Sequence, residues 1–127
     1  MSKREKYLLL IVEDPTVFED WTDERWRQHD ARHREFGEAV AASGATVLAS
    51  EPLDAQAVRF RPAGEGEQPL VTDGPFTETK EFVLGFYLLE VADDAQAREL
   101  AALCPTVGYV ELRRSWAGDV EGQTSGG

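Results

Sequence analysis

The stretch FVLGFYLLEV, from Phe82 to Val91, is apolar on both of its faces except at Glu90. A continuous apolar run of this length, bounded by polar residues, predicts a strand that is covered on both sides. YLLLIV, from Tyr7 to Val12, has the same character near the start of the chain. The two runs therefore predict two main strands, with apolar side chains on both faces of the sheet.

Two predicted helices follow these strands. Thr22 is a suitable N-cap for a first helix that runs up to a stop signal at Gly44. Asp93 caps the second helix, with Gln96 three residues later in a capping-box arrangement. The second helix is expected to end before Pro105, because a proline disfavours helical backbone in the residue that precedes it.

The remaining strands set the order of the elements. They are predicted in ATVLASEPL (45–53), in a hairpin formed by AVRFR and LVT, and in VGYVELRRSW (107–116). The order β-α-β, hairpin insert, β-α-β predicts a ferredoxin-like α+β sandwich, βαββαβ, with both helices on one sheet face. The other face is apolar too, and an open apolar sheet marks an interface. We therefore expect a homodimer whose sheets pack face to face.

Length and composition restrict the class of protein. The chain of 127 residues suits one domain, at 1–116, followed by a tail of flexible composition at 117–127. A net charge of −11 disfavours nucleic acid as a partner. The single cysteine permits no internal disulfide, and the sequence has neither a signal-peptide pattern nor an apolar run of membrane-spanning length. We expect a cytoplasmic protein that has no membrane partner.

The segment TDGPFTETKEF, from Thr72 to Phe82, has two interpretations. As a turn, Asp73, Gly74 and Pro75 would shape the backbone and Phe76 would anchor it in the core. As a site, the turn would hold polar groups at the mouth of a cleft. A glutamate would then accept a proton, and the lysine would hold an anion. The candidates for these roles are Glu78, Glu81 and Lys80.

The histidines of the first helix are the other candidates. His29 and His33 lie four residues apart on an apolar stripe with Trp26, Phe36 and Val40. Three interpretations of this pair are open. The histidines are partly buried side chains with local hydrogen-bond partners, or one of them is an acid or base in a cleft between the helix and the sheet, or both are part of a metal site. A metal would need a third ligand, so we expect no metal and no cofactor. The catalytic candidates are His29, His33, Asp73 and Glu81.

The sequence VTDGPFTETKEFVLGFYLLEV resembles the signature of the DGPF branch of the YCII-related family. The resemblance covers roughly residues 6–114 and implies a ferredoxin-like fold that forms a dimeric α+β barrel. Better-studied relatives are thought to use a histidine–aspartate pair near the start of the first helix, whereas the histidines here lie in its middle. The residues carried over as ligand-binding candidates are therefore those of the motif itself: Asp73, Gly74, Pro75, Phe76, Glu78, Lys80 and Glu81.

Three functions stay open from the sequence. The first is a homodimer that binds a small polar molecule in a cleft between the DGPF segment and the first helix. The second is an acid–base enzyme of the lyase or isomerase kind, which uses His29 or His33 with a carboxylate. The third follows from the resemblance, because members of this branch are often found beside extracytoplasmic-function sigma factors. It is an interaction partner of such a regulator.

Overall fold

The computed structural model describes residues 4–74 and 80–116. No helix within these ranges combines the length and the apolar character needed to cross a membrane. A 3-10 turn, Pro15–Phe18, precedes the first helix. The regular elements are β1 (Glu5–Glu13), α1 (Asp23–Ala42), β2 (Thr46–Pro52), β3 (Val58–Arg61), β4 (Leu70–Asp73), β5 (Phe82–Val91), α2 (Asp94–Leu103) and β6 (Tyr109–Arg114).

The main sheet has four antiparallel strands in the order β2-β5-β1-β6. The two apolar runs of the sequence, β1 and β5, are its central pair, and this explains why both need apolar side chains on both faces. The α+β class is confirmed, and the strand order is consistent with a ferredoxin-like fold. Strands β3 and β4 pair with each other as a separate two-stranded sheet.

Both predicted helix starts are confirmed. The Thr22 hydroxyl accepts a hydrogen bond from the backbone N–H of Arg25 at 3.1 Å. The Asp93 carboxylate accepts one from the backbone N–H of Gln96 at 2.8 Å. Helix α1 ends before Gly44, whose φ of +88° is the left-handed conformation that glycine tolerates best.

The core lies between the helices and one face of the sheet. Leu9 on β1, Leu89 and Val91 on β5, and Val40 on α1 are the largest fully buried side chains. The apolar stripe of α1 is not buried evenly along its length. Its C-terminal half is buried, its two histidines are half-buried, and Trp26 is exposed. This gradient leaves space between the N-terminal half of α1 and the sheet.

The opposite face of the sheet carries no helix among the described elements. Leu8 and Leu88 pair across β1 and β5, and Leu10 pairs with Phe86. All four side chains are half-buried, although they lie at the middle of the sheet. The predicted apolar face is therefore present, and its pairing with a second copy stays a prediction.

Candidate functional site

A pocket of about 470 Å³ lies between the N-terminal half of α1 and the sheet. Its floor comes from β1 and β5, one side from the end of β2, and the other side from the 3-10 turn and α1. The side chains are mainly apolar or aromatic, with a few polar groups among them. The residues that line it are Ile11, Glu13, Pro15, Phe18, Trp26, His29, Asp30, His33, Ser50, Glu51, Pro52, Leu53, Ala55, Leu84, Gly85, Phe86 and Tyr87.

Gly85 helps to create the space at the floor of this pocket. It is buried on β5, opposite Ile11 of β1, and on the same face as Tyr87. A Cβ atom at this position would lie 3.4 Å from the Glu51 carbonyl oxygen and 3.6 Å from Ile11 Cδ1. These are ordinary contact distances, so a methyl group fits here and a longer side chain would fill the pocket.

His33 and Tyr87 form a polar pair at the pocket wall. His33 Nδ1 lies 2.7 Å from Tyr87 Oη, and the rings are nearly parallel at 16°. Burial raises the pKa of Tyr87 to about 12, so the phenol stays protonated. Burial, and then the neighbouring His29, lower the pKa of His33, while the carboxylates of Glu13 and Asp30 act in the opposite direction. At neutral pH a protonated phenol and a neutral imidazole therefore share this hydrogen bond.

His29 lies one helical turn before His33 and is surrounded by aromatic rings. The ring centroids of Trp21 and Trp26 are each 5.5 Å from its own, and that of Phe18 is 6.3 Å away. Its Nδ1 atom is buried and has no hydrogen-bond partner among the described residues. The nearest carboxylate oxygen, Asp30 Oδ1, is 3.6 Å away, which is too far for a good hydrogen bond. The imidazole therefore has unused hydrogen-bonding capacity.

Glu13 places a buried carboxylate in the pocket wall. The residue is only 6% exposed, at the end of β1. Its Oε2 accepts hydrogen bonds from Thr106 Oγ1 at 3.1 Å and from the backbone N–H of Val107 at 3.0 Å. Both donors are neutral, and within the described ranges no lysine or arginine forms an ion pair with Glu13. Its negative charge is therefore held in place without being neutralised.

The structure brings the two candidate histidines together, with ring centroids 4.6 Å apart, and both line the pocket. Asp73 and Gly74, at the start of the DGPF segment, do not line this pocket. Asp73 ends β4, and the backbone N–H of Gly74 donates to the Ala57 carbonyl at 2.7 Å, which closes the β3–β4 ladder. Pro75, Phe76 and Glu78 lie outside the described residues.

The far end of the DGPF segment, Lys80 and Glu81, directly precedes β5, whose first residue, Phe82, pairs with Glu13 of β1. Glu81 accepts a hydrogen bond from the Tyr109 hydroxyl at 2.7 Å, which ties the segment to β6. The charge of Lys80 acts on Asp14, whose pKa is lowered first by its hydrogen bonds to Thr16 and also by this lysine. Asp14 directly precedes Pro15, a residue of the pocket wall.

Sequence reasoning missed Tyr87, Glu13 and Gly85 as site residues. Tyr87 and Gly85 lie inside an apolar strand, where a tyrosine and a glycine are readily taken as packing. The period of two along β5 was the available signal, because it places both on the same face as Leu89. Glu13 is the acid that directly follows YLLLIV, and its burial depends on donors from residues 106 and 107.

Comparison with known proteins gives two results. The sequence model described as the YCII-related domain matches residues 6–114. An uncharacterized protein of Rhizobium meliloti (strain 1021) is 38% identical over 115 residues, which cover 84% of this chain and 89% of that protein. The range of the family model spans every strand and helix described above except Glu5, the first residue of β1.

Proposed function

The chain belongs to the YCII-related domain family, and from that premise we propose that it is a small-molecule binding protein whose ligand lies between α1 and the sheet. The observation that carries the proposal is the pocket of about 470 Å³. Ligand sites in proteins are typically concave, largely apolar, and furnished with a few convergent polar groups. This pocket has aromatic walls and three polar points: the His33–Tyr87 pair, His29 and Glu13.

The lining restricts the kind of ligand. A molecule that fills the pocket must cover the aromatic faces of Phe18, Trp26 and Tyr87, so most of its body is apolar. Its polar group meets Glu13 or the His33–Tyr87 pair, because an apolar atom placed there would leave these groups unsatisfied. We therefore infer a compact ligand with an apolar body and one polar head.

The DGPF segment enters this proposal as part of the rim. Lys80 is close enough to Asp14 for its charge to affect that carboxyl, and Asp14 adjoins the pocket wall at Pro15. Glu81 is held in place by Tyr109. The proposed role of the segment is to shape the entrance, while α1 and the sheet hold the ligand.

We further propose that the protein works as a cytoplasmic homodimer that is joined through its open sheet face. The support is the apolar character of that face, where Leu8, Leu10, Phe86 and Leu88 lie together. Covering half-buried leucines at the centre of a sheet with a second sheet removes apolar surface from water, which stabilises the dimer.

Acid–base chemistry is a second candidate function, which the His33–Tyr87 contact favours. A neutral imidazole with a lowered pKa can accept a proton, and a protonated phenol can donate one. The two groups share a hydrogen bond of 2.7 Å and border the same pocket. A bound ligand with an acidic C–H or O–H group near His33 would be the substrate of such a reaction.

The proposal is tested by screening small aromatic and aliphatic fragments against the full chain by ligand-observed NMR. Ser50→Phe places a ring at the pocket side of β2, and Thr46→Phe places the same ring on the same strand outside the pocket. Fragments that use the pocket should lose binding to the Ser50→Phe protein and keep it with Thr46→Phe. The proposal fails if no fragment loses binding to the Ser50→Phe protein, or if the two variants reduce fragment binding equally.

A further inference from the structure

The charges around the pocket restrict its ligand further than its shape does. We propose that the pocket selects a cation, namely a protonated amine on an aromatic or aliphatic body. This inference rests on the proposed binding function and adds the chemical class of the ligand. It is carried by the carboxylates in the pocket wall, by the aromatic faces beside them, and by the position of the basic residues outside that wall.

Two acidic side chains lie on the pocket side of the sheet, those of Glu13 and Asp30, whereas Glu51 pairs with Phe86 and its side chain belongs to the opposite face. Among the described residues of the wall there is neither a lysine nor an arginine. An anionic head group would therefore meet like charges without a compensating cation. A protonated amine can donate hydrogen bonds to these oxygens, and such charge-assisted bonds are stronger than neutral ones.

The buried carboxylate has the largest effect. Glu13 is 94% shielded from solvent, and its two hydrogen-bond donors carry no formal charge. Attraction between charges is stronger away from water, because the effective dielectric constant is lower there. An ammonium group in the pocket would supply the countercharge that the described side chains do not give to Glu13.

The basic residues near the pocket form no ion pair with Glu13 within the described ranges. Arg25 and Arg32 line a second, smaller cavity, which His29 and the two donors to Glu13, Thr106 and Val107, also border. The guanidinium of Arg25 lies over the Trp21 ring, 4.7 Å from its centroid. Lys80 is exposed, and its charge acts on Asp14 at the rim. His33 adds no opposing charge at neutral pH, since burial favours its neutral form.

The aromatic walls suit the same ligand. Phe18 and Trp26 are stacked, with ring centroids 5.3 Å apart, and both border the pocket with Tyr87. Aromatic faces attract ammonium groups, by about 0.5–2 kcal/mol according to how far the site is desolvated. The net charge of −11 also raises the local concentration of cations around the whole molecule.

Three probes that share a phenethyl body test the effect of the head-group charge: phenethylamine, phenethyl alcohol and hydrocinnamate. Each is titrated into the full chain at neutral pH, with Tyr87 and Trp26 resonances as reporters of the pocket. We expect phenethylamine to bind about tenfold more tightly than the alcohol, with hydrocinnamate weakest.

Glu13→Gln should remove most of this preference, because the amide keeps an acceptor oxygen for Thr106 and Val107 but has no charge. Asp30→Asn, on the exposed side of α1, should weaken amine binding without disturbing the core.

Glu111→Gln is the matched control, since it removes the same charge from β6, outside the pocket wall. It should leave the ranking of the probes unchanged. The inference is overturned if the alcohol or hydrocinnamate binds as tightly as the amine, and in that case the binding pocket itself stands. It is also overturned if phenethylamine binds and Glu13→Gln and Asp30→Asn both leave its affinity unchanged. Failure of the Ser50→Phe experiment, in contrast, removes the binding function on which this inference rests.

Discussion

The Tyr87 hydroxyl lies 2.7 Å from His33 Nδ1, and this contact joins the middle of β5 to the middle of α1. The Tyr87 ring also packs against Phe36 in an edge-to-face arrangement, with centroids 4.8 Å apart. One residue therefore contributes both to the core and to the polar part of the pocket wall. The hydroxyl is the part that can be removed without a large change of volume.

Tyr87→Phe should lower the free energy of unfolding by about 0.5–1.5 kcal/mol, because the variant leaves a half-buried imidazole nitrogen without its partner. Chemical denaturation measures this loss. Tyr109→Phe is the control, since its hydroxyl donates to Glu81 at the exposed surface, and it should cost less than about 0.5 kcal/mol. Equal losses in the two variants would contradict the assigned role of the His33–Tyr87 pair.

The lowered pKa of His33 predicts a pH dependence of stability with a definite sign. Its value in the folded protein lies below the ordinary 6.5, so the unfolded chain binds more protons in the interval between the two values. Stability from this group is complete above pH 6.5 and is lost as the pH falls towards the folded-state pKa. His33→Gln should therefore flatten the decline of the unfolding free energy below pH 6.5. An unchanged slope in the variant would show that His33 does not titrate as described.

Two glycine substitutions should have opposite effects on stability. A Cβ atom on Gly108 would lie too close to the Val12 carbonyl oxygen, so Gly108→Ala forces β1 and the start of β6 apart. Overpacking of this kind costs about 1–3 kcal/mol. Gly37 lies in α1 with no atom within 4 Å of the added Cβ, so Gly37→Ala should raise stability by about 0.5–1 kcal/mol. Thermal unfolding of both variants checks the pair, and a stabilised Gly108→Ala protein would contradict the close approach.

The features that could be predicted from sequence depend on neighbouring residues. The Thr22 cap and the glycine at position 44 act within one helical turn, so they can be recognised from a few letters. The central strands β1 and β5 could be predicted because a short run that is apolar on both faces indicates a strand covered on both sides. The strand limits differ from the prediction by one or two residues, since the ends are set by pairing with neighbours.

The candidate site could be predicted only in part, because it depends on distant contacts. The stripe on α1 indicated that His29 and His33 face the protein, and both line the pocket. The partner of His33 is 54 residues away, on a strand whose approach is fixed by the whole sheet. The burial of Glu13 likewise needs donors more than 90 residues later in the chain. A composition rich in charged residues directed attention to the DGPF segment, although polar residues are also common in exposed connections.

The proposed dimer makes the last prediction. Leu88 lies on the open sheet face and pairs with Leu8 of β1, so Leu88→Lys would place a charge at the centre of the interface. An uncompensated buried charge costs about 3 kcal/mol or more, which is over about a hundredfold in the dissociation constant. Leu103→Lys is the matched control, because Leu103 is 61% exposed at the end of α2.

Light scattering should give twice the mass of one chain for the wild-type protein and for Leu103→Lys, and the mass of a single chain for Leu88→Lys. Circular dichroism establishes that the Leu88→Lys protein stays folded, which is expected because the core on the helix side of the sheet is unchanged. A wild-type protein that is monomeric at all concentrations would leave the apolar face uncovered and would refute the dimer. A Leu88→Lys protein that remains dimeric would place the interface on another surface.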